Sequence, residues 1–226
     1  MSTASQEILT IENQIENALH ELELHEKLDE ALDRYQQYGQ LLSALEIGQE
    51  EPEYADQQRV LSYCLMRQGN ILRQLGKPDE ALPLSEQEIL AARRSADDIT
   101  LARALMSNGT NLIVSGMIDD GFKLIDEARQ LFEQGKSYDH RQGLGWYWIL
   151  EADLANAGLI KKDPVDLENI ASQALEILEP LENWPGVARA YSARAIAREK
   201  LGDHVGANLD REKQAMAQSR IEAGDS

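Results

Sequence analysis

Turns marked by glycine recur along this chain at a nearly constant step. Gly69 to Gly109 is 40 residues, Gly76 to Gly116 is again 40, and Ala81 to Gly121 keeps the same step. Gly116 to Gly158 and Gly158 to Gly202 follow at 42 and 44. A register held over successive turns marks stacked copies of one supersecondary unit. Such a chain is constrained to fold as neighbours that cover one another's apolar faces, because one unit cannot bury its own.

The residues around each turn are helix punctuation. Gly76-Lys77-Pro78-Asp79-Glu80-Ala81-Leu82 stops one helix on a glycine and starts the next with proline in its first turn. The glycine takes the left-handed conformation without a Cβ penalty, and the proline gives up no helical hydrogen bond there. Asp163-Pro164-Val165-Asp166 reads the same way with Asp163 as N-cap, and Glu51-Pro52-Glu53 opens another helix. Between stops the apolar residues keep helical spacing: Leu61, Leu65 and Leu72, then Leu101, Leu105 and Leu112, then Ile125, Ala128 and Phe132. With five Val and four Thr against runs of Leu, Ala, Glu, Gln and Arg, the composition favours helices. The expectation is an all-α fold, with helix pairs at 5–24 and 27–47, 54–75 and 78–94, 97–115 and 118–134, 139–157 and 164–180, and 185–201 and 204–222. No Gly/Ser linker divides residues 1–226, so one domain is expected, with an acidic, divergent first repeat over 1–50 and four clearer repeats over 54–222.

The repeating residues resemble the tetratricopeptide repeat (TPR), whose pattern is W-x2-L-G-x2-Y followed by A-x3-F on the second helix. The second copy reads Leu65-x2-Gln68-Gly69-x2-Leu72 with Ala81-x3-Ser85, and the third Leu105-x2-Asn108-Gly109-x2-Leu112 with Gly121-x3-Ile125. The fourth reads Tyr147-x2-Leu150-Glu151-x2-Leu154, and the fifth Tyr191-x2-Arg194-Ala195-x2-Arg198 with Ala207-x3-Arg211. The first is weaker and ends in Leu28-Asp29-Glu30-Ala31-Leu32-x2-Tyr35. The steps exceed the usual repeat length, and Arg194 and Arg198 stand where the pattern wants apolar residues. A non-repeating helical bundle is the alternative.

The resemblance implies a right-handed superhelical solenoid of antiparallel helix pairs whose concave groove, lined by the first helices, binds a peptide or a partner helix. Carried over, the groove positions are Tyr63, Met66, Arg67, Asn70 and Arg73, then Arg103, Met106, Thr110 and Ile113. Trp148, Ala152 and Asn156 follow from the fourth repeat, and Arg189, Ser192 and Ile196 from the fifth. Arginines on one wall suit a carboxylate or an acidic motif through bidentate hydrogen bonds, with Met66, Met106 and Trp148 beside them. The competing reading pairs these arginines with the chain's own Glu and Asp. The carboxylate clamp of some family members is not intact: Asn70 fits it, but Met66, Ser107, Gly145 and Ile149 occupy other clamp positions.

Charge and missing motifs exclude other classes. A formal net charge of -18 repels phosphate backbones, so no nucleic-acid partner is expected. Residues 1–50 hold eleven acids and two bases, which reads as a solvated cap. Cys64 is alone, residues 1–7 lack signal-peptide character, and no apolar run approaches a membrane span; the expectation is a cytoplasmic protein without a membrane partner. His20 and His25 are five residues apart, about 140° around a helix, and do not pair as metal ligands. No phosphate loop, dinucleotide fingerprint or C-x-x-C occurs, and no nucleophile stands at an interpretable spacing from a histidine. No catalytic residue, metal or cofactor is expected. The reading is a non-catalytic scaffold or adaptor, with a ligand-sensing domain and a self-associating homodimer as alternatives.

Overall fold

A computed structural model describes residues 2–224. Ten α-helices are present among the described residues: α1 (Thr3–Glu21), α2 (Leu28–Ala44), α3 (Glu53–Gln74), α4 (Pro78–Ser95), α5 (Asp98–Val114), α6 (Ile118–Glu133), α7 (Tyr138–Asn156), α8 (Pro164–Leu178), α9 (Trp184–Leu201) and α10 (His204–Glu222). These are the expected pairs, with ends displaced by at most three residues. A 3-10 turn, Glu23–His25, lies between α1 and α2 and has no counterpart in the sequence expectation. The chain divides into two compact units, one reaching Ala128 and one beginning at Arg129, so the division falls inside α6. No Gly/Ser linker marks that place, although the step of the turns lengthens from 40 to 42 residues across it.

The punctuation acts as its chemistry requires. Gly76, Gly116, Gly158 and Gly202 have φ of +73°, +88°, +74° and +81°. In each case the amide after the glycine donates to the carbonyl five residues back, as from Lys77 to Leu72 at 2.8 Å and from Asp203 to Arg198 at 2.9 Å. That bond satisfies a carbonyl the helix end leaves without a partner. At the other ends Asp97, Ser137 and Asp163 accept hydrogen bonds from the amides of Thr100, His140 and Asp166.

In the first unit α1 packs on α2, α2 on α3, α3 on α4 and α4 on α5. The core runs through Ile8, Ile11 and Ile15 of α1, Tyr35 and Leu42 of α2, and Val60, Cys64 and Ile71 of α3. Glycine permits close approach where α5 meets α6. A Cβ on Gly109 would lie 2.7 Å from the Gly121 carbonyl oxygen, and one on Gly121 would lie 2.5 Å from that of Gly109. Gly69, the corresponding residue of α3, has nothing within 4 Å of its would-be Cβ.

In the second unit α7, α8, α9 and α10 pack in succession around Ile149, Leu175, Leu178, Val187 and Tyr191, with Trp146, Trp148 and Trp184 half-buried against them. The register of the fourth repeat needs correction. Gly143, Gly145, Ile149, Ala152 and Leu154 are buried, whereas Tyr147, Leu150 and Glu151 of the expected pattern are half-buried. A Cβ on Gly145 would lie 2.5 Å from Leu178 Cγ, and Glu151 pairs with Lys162 at 2.6 Å. The cause is a longer helix: α7 has 19 residues and α5 has 17, so alignment on the terminal glycine displaces the interior by two. The apolar positions of the fifth repeat are replaced by a charge network. Arg194 grips Asp210 with two hydrogen bonds at 3.0 and 2.8 Å, and Arg198 reaches Asp210 at 3.0 Å and Glu168 at 2.8 Å. Asp210 is buried, and these bonds are what permits a carboxylate there.

Candidate functional site

The first-helix face of the first unit is built by α3 and α5. Their helical spacing sets Tyr63, Met66, Arg67, Asn70 and Arg73 beside Arg103, Met106 and Thr110, and every one of these eight is half-buried. Ile113 is buried and belongs to the core.

Arg67 does not await an outside carboxylate. Its Nε donates to Glu23 Oε2 at 3.0 Å and its Nη2 to Glu23 Oε1, and the Tyr35 hydroxyl donates to Glu23 Oε2 at 3.0 Å. The two side chains are 16% and 8% exposed. Burial disfavours the Arg67 charge, but Glu23, with Tyr63 and Tyr35, outweighs it and holds the guanidinium's pKa above its ordinary value. Burial likewise pushes the Tyr63 phenol up to about 12, helped by hydrogen-bonded Glu16 and opposed by the nearby Arg67 and Arg103. Two turns earlier on α3, Arg59 forks onto Glu12 at 2.6 and 3.0 Å. The carboxylates of α1 and the 3-10 turn thus neutralise Arg59 and Arg67, which is the competing reading for those two arginines.

Behind this face lies a polar network that the sequence reading missed. Arg73 donates to the side-chain Oδ1 atoms of Asn70 and Asn111, and Asn111 Nδ2 donates to Ser85 Oγ. Ser107 Oγ donates to Glu88 Oε2 at 3.1 Å, while Glu88 Oε1 is buried without a partner. Burial raises the Glu88 carboxyl well above the usual range against the opposing pull of Ser107 and Arg73, and burial lowers the pKa of Arg73. The signal was present: Glu88 stands three residues after Ser85 and seven after Ala81, on the face of α4 that the repeat pattern turns inward.

In the second unit the corrected register changes the candidates. Trp148 packs against Ile170, Ala171 and Ala193 and meets Tyr147 edge-on, with ring centroids 4.9 Å apart. It is half-buried, as Trp146 is, whereas Ala152 is fully buried. Moved by two, the positions equivalent to Met106 and Ile113 are Trp146 and Asp153, and both meet α9. The Arg189 guanidinium lies 5.5 Å from the centroid of the Trp146 ring and pairs with Asp153. Burial raises the Asp153 pKa despite Arg189. Ser192 is half-buried and Ile196 exposed. Asn156, at the end of α7, is half-buried, and its Oδ1 is buried without a partner.

Two open grooves lie elsewhere in the first unit, and none of the candidate residues lines them. One, of about 500 Å3, runs between α2 and α4 over α3 and is lined by Gln36, Gln40, Gln58, Gln68 and Gln87 with Leu61, Leu65 and Leu84. The other, of about 420 Å3, lies between α1 and α2. The Cys64 thiol is buried, donates to the Tyr35 carbonyl at 3.0 Å, and is pushed up to about 12 by burial. Among the described residues no group of three or more His, Cys, Asp and Glu is placed to hold a metal ion, and no helix is long and apolar enough to cross a membrane.

Comparison with protein-family models and with curated proteins gives no match. Comparison with solved structures gives BtubC (BKLC) from P. vanneervenii at 12% identity and TM-score 0.58, covering 98% of this chain and 93% of that one. A putative kinesin light chain of Podosopora anserina with nearly identical TPR-like repeats matches at 11% identity, in a point-variant form with TM-score 0.49 over 99% of both chains and in a second form with TM-score 0.48 over 97% and 98%. At 12% identity the first of these bears on fold alone. Helix pairs closed by left-handed glycines, with that likeness, give this chain the all-α fold of the TPR-like helical-repeat proteins.

Proposed function

We propose that this chain is a non-catalytic interaction module that holds a peptide or helix of another protein on the first-helix face of α3 and α5. The observation that carries the reading is the state of that face. Tyr63, Met66, Asn70, Met106 and Thr110 keep part of their surface open, on two helices whose other faces are buried. Thioethers adapt to varied apolar side chains, and a rigid platform lowers the entropy cost of binding. Since Glu23 and Glu12 already hold Arg67 and Arg59, the ligand chemistry that fits is apolar with neutral polar groups. An acidic motif fits less well than the arginine count suggests. The pairing of Arg189 with Asp153 under Trp146 supports the same preference in the second unit.

Site-specific photo-crosslinking tests the reading. A benzophenone side chain at Met66 or Met106 is expected to capture the same protein from the native host's lysate, whereas one at Gln87, in the groove between α2 and α4, does not. Capture at Gln87 alone, or the same proteins at all three positions, overturns it.

A further inference from the structure

The side of α3 turned away from the Tyr63 and Asn70 face carries carboxamides that the fold leaves unused. At about 100° per residue, Gln58, Leu61, Leu65 and Gln68 fall within about 80° of one another, opposite Tyr63 and Asn70. They line the groove of about 500 Å3 between α2 and α4. Gln58 is 7% exposed, and its side chain has no hydrogen-bond partner among the described residues. Its neighbour Gln57 is also buried but donates to the carbonyls of Leu42 and Leu45 at 2.7 and 3.0 Å. A buried carboxamide without a partner costs stability, so the fold itself gains nothing from Gln58. Gln68, 5% exposed, donates from Nε2 to the Tyr35 carbonyl at 3.2 Å, and its Oε1 has no partner among the described residues. A Cβ on Gly39 would lie 3.2 Å from that Nε2, so the glycine leaves the carboxamide its place.

The lining decides which ligand fits. No Asp or Glu lines the groove, in a chain that carries 40, and Arg94 is its one charged residue. A cation would find no carboxylate there, and a polyanion would find a single base. No aromatic ring lines it either, and aromatic stacking is what holds a nucleobase or the apolar face of a sugar. A carboxamide presents a donor and an acceptor side by side, which matches another amide. Gln36 and Gln40 stand on one side of α2, exposed, and their step of four advances about 6 Å along the helix. Two residues of an extended chain advance about 6.6 Å, so the pair is spaced to meet alternate main-chain amides. Gln58 and Gln68 are about 15 Å apart along α3, the length of four to five extended residues. Leu61 and Leu65 between them, with Leu84 of α4, give apolar side chains of such a segment a surface.

We propose that this groove is a second binding site, which takes an extended, uncharged polypeptide segment by its main-chain amides. Gln58 and Gln68 on the floor, with Gln36 and Gln40 on the α2 wall, supply the hydrogen bonds. The proposal does not rest on the reading of the α3 and α5 face, and the segment belongs to a different ligand from the protein held there.

The test is selection of a displayed library of random nine-residue peptides on the 226-residue chain, keeping those that bind wild type and not Gln58→Leu. The selected peptides, made with acetylated and amidated ends, are titrated by fluorescence anisotropy. Gln36→Ala/Gln40→Ala is expected to weaken their binding at least tenfold, and Met66→Glu/Met106→Glu to leave it unchanged. Ester replacement of alternate peptide amides should also cost at least tenfold, because it removes main-chain donors and leaves the side chains in place. The unfolding midpoint of Gln58→Leu should equal or exceed that of wild type, since no bond of the fold is lost. Failure to recover any peptide that tells wild type from Gln58→Leu overturns the proposal, as does a lowered midpoint in that variant. Peptides weakened by Met66→Glu/Met106→Glu and not by Gln36→Ala/Gln40→Ala would belong to the α3 and α5 face and reject the second site. Esters that bind as tightly as the amides would reject main-chain recognition.

Discussion

Arg67 and Glu88 show how the same interior treats two charges differently. Arg67 stays charged because Glu23 accepts two of its hydrogen bonds and Tyr35 steadies that carboxylate from the other side. Removing the cation strands Glu23 in a site where it is 8% exposed. Arg67→Ala is therefore expected to cost about 3–5 kcal/mol, the usual cost of breaking a buried pair from one side, measured by urea unfolding. A loss below about 1 kcal/mol would mean the pair is solvated like a surface bridge. Glu88 has no such partner, and burial raises its pKa in the folded state. An acid with a raised folded pKa binds more protons folded than unfolded, so its contribution is fully present below the unfolded value of 4.5 and is lost as pH climbs toward the folded value. Glu88→Gln removes that dependence. The stability of the variant relative to wild type should rise with pH above 4.5 until the pH passes the folded value, and a difference that does not change with pH would show that the carboxyl ionises as readily in the folded chain as in the unfolded one.

At the scale of elements, one repeat position takes opposite consequences in neighbouring helices. Gly109 and Gly121 let α5 and α6 touch backbone to backbone, so Gly109→Ala must force them apart and should destabilise by about 1–3 kcal/mol. Gly69 occupies the same place in α3 with open space around it, and Gly69→Ala should stabilise by about 0.5–1 kcal/mol by stiffening the unfolded chain. Thermal unfolding of the two variants reads both signs. The helix ends were legible because Pro78, Pro164 and the left-handed glycines act locally, each within a few residues of its own bonds. The turns at Glu26, Ala96 and Glu182 are left-handed without glycine, at φ of 60°, 54° and 54°, and carry no such mark. Registers measured from a terminal glycine shift when a helix lengthens, as α7 does, and that shift gave Trp148 and not Trp146 the place equivalent to Met106. The pairing of Glu23 with Arg67 spans 44 residues, and no local pattern encodes it. Arg194 and Arg198 broke the apolar pattern without breaking the register, because Asp210 of α10 meets them.

For the whole molecule, the acidic balance takes on a structural meaning. Half of the formal charge of -18 falls within residues 1–50, and there Glu12, Glu16 and Glu23 reach across to Arg59, Tyr63 and Arg67. Those acids serve as counterions to Arg59 and Arg67, which supports the proposal that neutral and apolar positions of that face do the binding. The central claim is that the face of α3 and α5 holds a protein ligand by apolar contact. The most direct measurement is calorimetric titration of the protein captured at Met66 against wild type, Met66→Glu/Met106→Glu and Gln87→Glu. At least a tenfold loss of affinity is expected in the methionine variant, with helicity and unfolding midpoint preserved, and no loss in Gln87→Glu. Equal affinity for all three, or a loss confined to Gln87→Glu, would contradict it.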